Sequence, residues 1–208
     1  MVMIASGCFP KAYQIDDRFH VQQMVSDALQ EIRVELRKDA IKAHNDEVAK
    51  ARKRGGNYWP PRHKNGDTDK ELLARARYLL YKPSGKWSKS QRVRAAILFR
   101  KFPKLKDAYQ LTMHFRGIYE HARNRADAIR RLQRWYLSVE KRLEIFPNFE
   151  TPMQTIKTYE DTIVNYFKAR ETNASAESFN AKVKNFRALQ RGVSDVTFFL
   201  YRLSMIYG

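Results

Sequence analysis

NASAESFNAKVKNFRALQR, residues 173–191, decides how the rest of this chain is read. Asn173 and Ser175 are N-cap residue types and Gly192 is a natural stop, so the spacing predicts one helix between them. Ala176, Phe179, Val183 and Phe186 recur at three- and four-residue steps and share one apolar stripe. Glu177, Asn180, Lys184, Arg187 and Arg191 lie beside that stripe, within roughly a quarter-turn at about 100° per residue. One carboxylate therefore sits in the first turn, where the helix dipole favours it, with an amide and cations further down the same side. Such an arrangement can hold a divalent metal beside a phosphate backbone. On spacing alone the plainer reading takes precedence: a surface Glu in a favourable first-turn position.

The surroundings of this helix are strongly basic. Across 208 residues the formal net charge is +18, which points to polyanionic partners, nucleic acid first. A polybasic membrane-surface protein is the rival class, and no lipidation motif supports it. Aromatic residues make up 12% of the chain, ample for a packed core. Cys8 is the single cysteine, so neither an intrachain disulfide nor a zinc site built from cysteine pairs is available, and a reducing compartment fits. No window approaches the length of a transmembrane helix, and MVMIASGCFPKAY lacks the features of a signal peptide.

Upstream of the stretch the pattern is almost entirely helical. Ala12 to Asp16 alternates like a short strand and runs into Asp17-Arg18-Phe19-His20. Asp17 and His20, three apart, face each other across one turn. Either they form a functional pair at a strand end, or Asp17 caps the next helix and His20 packs; spacing does not separate the two. Helices are predicted from Val21 to about Arg54, from Asp67 to Lys82, from Ser88 to Phe102, from Pro103 onward, from Asn124 onward, and as one long element after Pro147. Between the first two lies KARKRGGNYWPPRHK, residues 50–64. There Lys50, Arg52, Lys53, Arg54, Arg62 and Lys64 surround Tyr58 and Trp59, broken by Gly55-Gly56 and Pro60-Pro61. Cations meet phosphates and rings stack on unpaired bases, so this segment reads as a DNA contact. The competing reading is a solvated loop whose Trp59 tucks into the core. His114 and His121 have no acid or Cys partners nearby in sequence and read as surface residues.

Three stretches together resemble a known family: FPKAYQIDDRFHV at 9–21, LLARARYLLYKPSGKW at 72–87, and TNASAESFNAKVKNFRALQRGVSDVTFFLYR at 172–202. They are similar to the C-terminal part of bacterial insertion-sequence transposases of the DDE group called ISL-three. The resemblance implies a chain that is mainly α as it stands. It would be the C-terminal portion of an RNase H-like α/β catalytic domain carrying a large all-α insertion. Residues 1–20 would end the sheet, 21–170 would be the insertion with the basic loop, and 171–208 would return to the catalytic domain. Three carboxylates in such enzymes bind Mg²⁺ or Mn²⁺ for phosphodiester cleavage and strand transfer. Glu177 matches the third acid, which reverses the plainer reading of it. Asp17 and His20 match an acid-x-x-His element close to the metals; the alternative makes Asp17 itself the second acid.

The resemblance further implies DNA as partner, both transposon ends and target, with Asn180, Lys184, Arg187 and Arg191 beside the acid as DNA contacts. It implies a homo-oligomer, no membrane, and a bacterial cytoplasmic, nucleoid-associated location. The family's first two acids would lie upstream of Met1, so a truncated chain inactive on its own is expected. A non-enzymatic basic helical protein that binds transposon ends is the alternative function.

Overall fold

Helix α1, Arg18–Lys53, is 36 residues long and organises everything packed upon it. Its start is fixed by Asp17, whose carboxylate accepts the Phe19 N–H at 2.7 Å. Its end is fixed by Gly55, whose φ of +73° lets the chain reverse while the Gly55 and Gly56 N–H groups close on Arg52 and Ala51 carbonyls. Val21, Val25, Ala28, Leu29 and Ile32 bury the first half of α1. Beyond Arg33 no α1 residue is fully buried, so the second half projects from the core.

The computed structural model describes residues 15–169, 174–190 and 195–207. These fall into two compact units, Met1–Ala169 and Arg170–Gly208. In the first unit α1 is followed by α2 (Asp69–Arg75), α3 (Arg77–Leu80), α4 (Lys89–Lys101), α5 (Pro103–His121), α6 (Arg125–Glu140), α7 (Glu150–Thr158) and α8 (Glu160–Ala169). The second contains α9 (Ala174–Leu189) and α10 (Val196–Tyr207). The mainly α reading holds, and no strand occurs among the described residues. Of the expected strand, residues 12–14 lie outside the described residues, and Ile15 and Asp16 are irregular.

Most helix starts lie where the caps predict. Ser88 and Gln91 form a reciprocal capping box on α4. Pro103 opens α5, and the Asn124 side chain accepts the Asp127 N–H at 2.9 Å to open α6. Two predicted single helices are each divided. The element expected over Asp67–Lys82 begins at Asp69, with Thr68 and Glu71 as its capping box, and breaks at Ala76. At that break α1 side chains capture backbone oxygens: Arg33 bonds the Leu73 carbonyl at 3.2 Å and Gln30 the Arg77 carbonyl at 3.3 Å. Burial and the neighbouring Arg77 push the Arg33 guanidinium below its usual range. The element after Pro147 breaks at Tyr159, where Thr155 and Thr158 hydroxyls turn back onto the Thr151 and Gln154 carbonyls at 2.9 Å. Such back-bonding loosens a helix locally.

The core of the first unit is one largely aliphatic cluster to which α1 to α8 all contribute, with aromatic rings concentrated between α5, α6 and α8. Trp135 is fully buried, 4.8 Å from Phe115 between ring centres, and its indole N–H donates to the Leu111 carbonyl at 3.0 Å. Tyr119 stacks on Phe167 at 5.4 Å. A second ring cluster, Trp87, Phe99 and Tyr109, supports α4. Within it the Trp87 indole donates to the Leu79 carbonyl at 2.8 Å and the Tyr109 hydroxyl to the Lys82 carbonyl at 2.9 Å. Burial pushes the Tyr109 hydroxyl up to about 12, so it stays a donor at any physiological pH. In the second unit Phe186 packs on Phe199 at 5.5 Å, and Arg202 lies over the Phe186 ring at 5.4 Å. The apolar stripe predicted for residues 173–191 therefore has a packing partner at Phe186.

Candidate nucleic-acid interface

The basic segment after α1 doubles back along that helix. Tyr58 packs edge-on against His44 at 5.5 Å, while Trp59 is 84% exposed. The reading in which Trp59 tucks into the core is thus corrected: its neighbour Tyr58 takes the packing role, and the indole faces solvent. Arg52, Lys53, Arg54, Arg62 and Lys64 are exposed around it. Lys50 pairs with Glu47 at 2.7 Å, which raises its pKa, and Arg62 donates to the Gly66 carbonyl at 2.6 Å. The loop is held at its far end by His63, 2.7 Å from Asp69.

The charge extends well past this loop. Residues 50–106 contain 18 Lys or Arg and three acids, so they account for most of the chain's net charge. All three acids are engaged internally. Asp67 is fully buried and pairs with Arg75 and, at 3.1 Å, with Arg94. Asp69 takes His63 and Lys101. Glu71 accepts the Thr68 N–H and hydroxyl at 2.8 Å, and these bonds hold its carboxyl below the usual range. The carboxylates fasten α2, α4 and the loop together through Arg75, Arg94, Lys101 and His63, and cations such as Arg52, Lys53, Arg54, Lys64, Arg92 and Arg100 stay exposed. The sequence reading missed this extent because it stopped at the loop; a running charge count through residue 106 carries the signal.

Asp17 and His20 are brought together at 3.6 Å. Asp17 is the α1 cap, as its spacing allowed, but His20 does not pack: its side chain is 79% exposed. Asp16 lies alongside and accepts the Thr162 hydroxyl. Asp16, Asp17, His20 and Tyr159 border an open cleft of about 240 Å³. Two adjacent carboxylates are hard oxygen donors of the kind Mg²⁺ takes. Both already accept protein hydrogen bonds, and among the described residues no three acidic, His or Cys side chains form a metal-binding group. The described residues therefore do not by themselves fit a divalent-metal centre. His114 and His121 are at the surface, as expected.

On α9 the backbone at Glu177 and Asn180 is helical, and their side chains lie outside the described residues. Lys184 and Arg187 are exposed on the same helix, and Arg191 lies outside the described residues. No helix among the described residues is long and apolar enough to cross a membrane.

No curated protein and no solved structure matches the chain. A family model described as transposase, that of the ISL-three DDE group, matches residues 1–203 of the 208. A basic, helical chain matched over nearly its whole length in this way belongs to the ISL-three family of DDE transposases.

Proposed function

We propose that the first unit grips transposon-end DNA while Glu177 on α9 serves as a metal-binding acid for strand cleavage and transfer. The observation that carries the DNA reading is the outward charge of residues 50–106, whose three acids are all consumed in internal bonds. Exposed Trp59 amid Arg52, Lys53, Arg54 and Lys64 supplies a stacking surface for bases unpaired near a cut end. Glu177 is assigned by its match to the third acid of the family. A bound divalent ion would activate the attacking oxygen and stabilise the leaving one. Asp17 and His20 are assigned a supporting role only by their match to the family's acid-x-x-His element. The wider catalytic domain is RNase H-like, with residues 21–170 as its helical insertion. The assembly is a homo-oligomer working on DNA in the bacterial cytoplasm.

The loop reading is tested by fluorescence anisotropy on an arbitrary duplex across a salt series. Log affinity should fall linearly with log salt. The combined Arg52, Lys53, Arg54 and Lys64 to Ala variant should flatten that slope by about 0.9 for each phosphate it no longer neutralises. Trp59→Ala should weaken single-stranded DNA by roughly 1–3 kcal/mol and spare the duplex. A flat salt series, or an unchanged slope in the fourfold variant, would remove the loop from the interface. For the acid, in a system where the unsubstituted sequence transposes a marked element, with the family's two upstream acids supplied, Glu177→Gln should take transposition below detection, whereas Asp17→Asn, with Asp17 in a supporting role, should leave measurable activity. Retained transposition with Glu177→Gln would refute the assignment.

A further inference from the structure

Helix α4, KSQRVRAAILFRK, carries five cations and no carboxylate. Ala95 and Leu98 are its buried residues. Elsewhere on its surface Lys89, Arg92, Val93, Ala96 and Arg100 are all exposed, Val93 by 55%. At about 100° per residue these five fall within an arc of about 100°, opposite Leu98 and clear of Ala95. From Lys89 to Arg100 the face is about 17 Å long. A solvated helix face ordinarily mixes both signs of charge. This one is slim and aliphatic in the middle, cationic at both ends, with one arginine beside the aliphatic pair.

We propose that α4 enters the major groove of duplex DNA and reads base sequence there. A helix fits that groove, which is about 12 Å wide. Small side chains at Val93 and Ala96 let the backbone approach the base edges and place methyl groups against thymine methyls. Arg92 has the fork geometry that pairs with guanine O6 and N7. Lys89 and Arg100, at the two ends, reach flanking phosphates, which position the helix without reading sequence. The platform is stiff, as a reading helix requires. Arg94 is tied to buried Asp67 at 3.1 Å and Lys101 lies 3.5 Å from Asp69. Trp87, immediately before the cap, is locked onto α3 by its bond to Leu79. Duplex RNA is the poorer fit, because its major groove is too deep and narrow for a helix.

The inference rests on the reading that the chain binds DNA, and the experiment separates the two. The full chain is used to select from a pool of duplexes with about 20 random base pairs, room for one to two groove turns. A short motif containing guanine should be enriched. Arg92→Ala should erase the preference for that guanine, lowering the ratio of selected to scrambled affinity about tenfold or more. Lys89→Ala and Arg100→Ala should weaken selected and scrambled duplexes alike. Ala96→Glu, at an exposed site where Glu favours helix, should abolish selectivity with an unchanged melt. DNA binding without an enriched motif, a motif that survives Arg92→Ala, or equal binding to duplex RNA of the same sequence would overturn the α4 assignment alone. Failure to bind any DNA would overturn both readings.

Discussion

Trp135→Ala is expected to destabilise the first unit by roughly 3–5 kcal/mol, a large part of the margin of an ordinary domain. Three losses combine. The largest is the volume of a fully buried indole at the junction of α5 and α6, whose ring lies 4.8 Å from Phe115. The second is the hydrogen bond from its N–H to the Leu111 carbonyl at 3.0 Å. The third is the edge-on packing against Tyr136, 5.8 Å away, whose hydroxyl donates to Glu160 at 2.9 Å and so ties α6 to α8. A chain of this size loses roughly 2–4 °C of melting temperature per kcal/mol, so a drop of about 6–20 °C should be seen by circular dichroism. Trp135→Phe keeps most of the volume and loses only the bond to the Leu111 carbonyl, which retains its partner within the helix, so that bond's loss should cost about 0.5–1.5 kcal/mol. A drop of only a degree or two in the alanine variant would show that the α5–α6 junction does not hold the unit together.

Asp67→Ala should cost nearly as much, by a different route. Its carboxylate is wholly buried, held by Arg75 and Arg94, with Asn65 donating to it at 2.7 Å. Removing one partner of a buried ion pair leaves the other uncompensated, which typically costs about 3–5 kcal/mol. Arg75 is 55% exposed and can return to water, whereas Arg94 is 24% exposed and largely cannot. The lower end of the range, about 3 kcal/mol, is therefore expected. Because the pair is buried, its contribution should persist at high salt, where exposed pairs such as Lys50 with Glu47 are screened. Denaturant titrations at low and high ionic strength check this. A penalty that vanishes in molar salt would mean that the carboxylate is hydrated and the knot superficial.

The legible parts of the fold were the local ones. Helix starts at Ser88 and Asn124 could be read because a cap and the N–H group it satisfies lie within four residues, and the start at Pro103 because proline's fixed φ suits the first helical position. The breaks at Ala76 and Tyr159 could not. The first depends on Gln30 and Arg33 reaching across from another helix, and the second on threonine hydroxyls choosing their own helix carbonyls over solvent. Asp67 reads as a helix-start acid, yet its partner Arg94 stands 27 residues away, beyond any local rule. At the candidate site, the basic loop was visible from composition. Which ring of Tyr58 and Trp59 would face outward was not, since both suit either role until α1 presents His44. The α4 face was missed because total charge says nothing about arrangement around a helix. The metal-binding role proposed for Glu177 rests on the family resemblance, where spacing had favoured a plain surface acid.

The bonding of all three acids between residues 50 and 106 to neighbouring groups of the same unit has a thermodynamic side. With those three carboxylates held in internal bonds and 18 cations beside them, residues 50–106 form a polycationic surface, and like-charge repulsion works against the compact state. Dissolved ions weaken that repulsion and steady the fold, while the same ions compete for the duplex and loosen the complex. Folding and DNA binding thus respond to ionic strength with opposite signs. A duplex, by neutralising the surface of the native state alone, acts as a stabilising ligand whose contribution grows as salt is withdrawn.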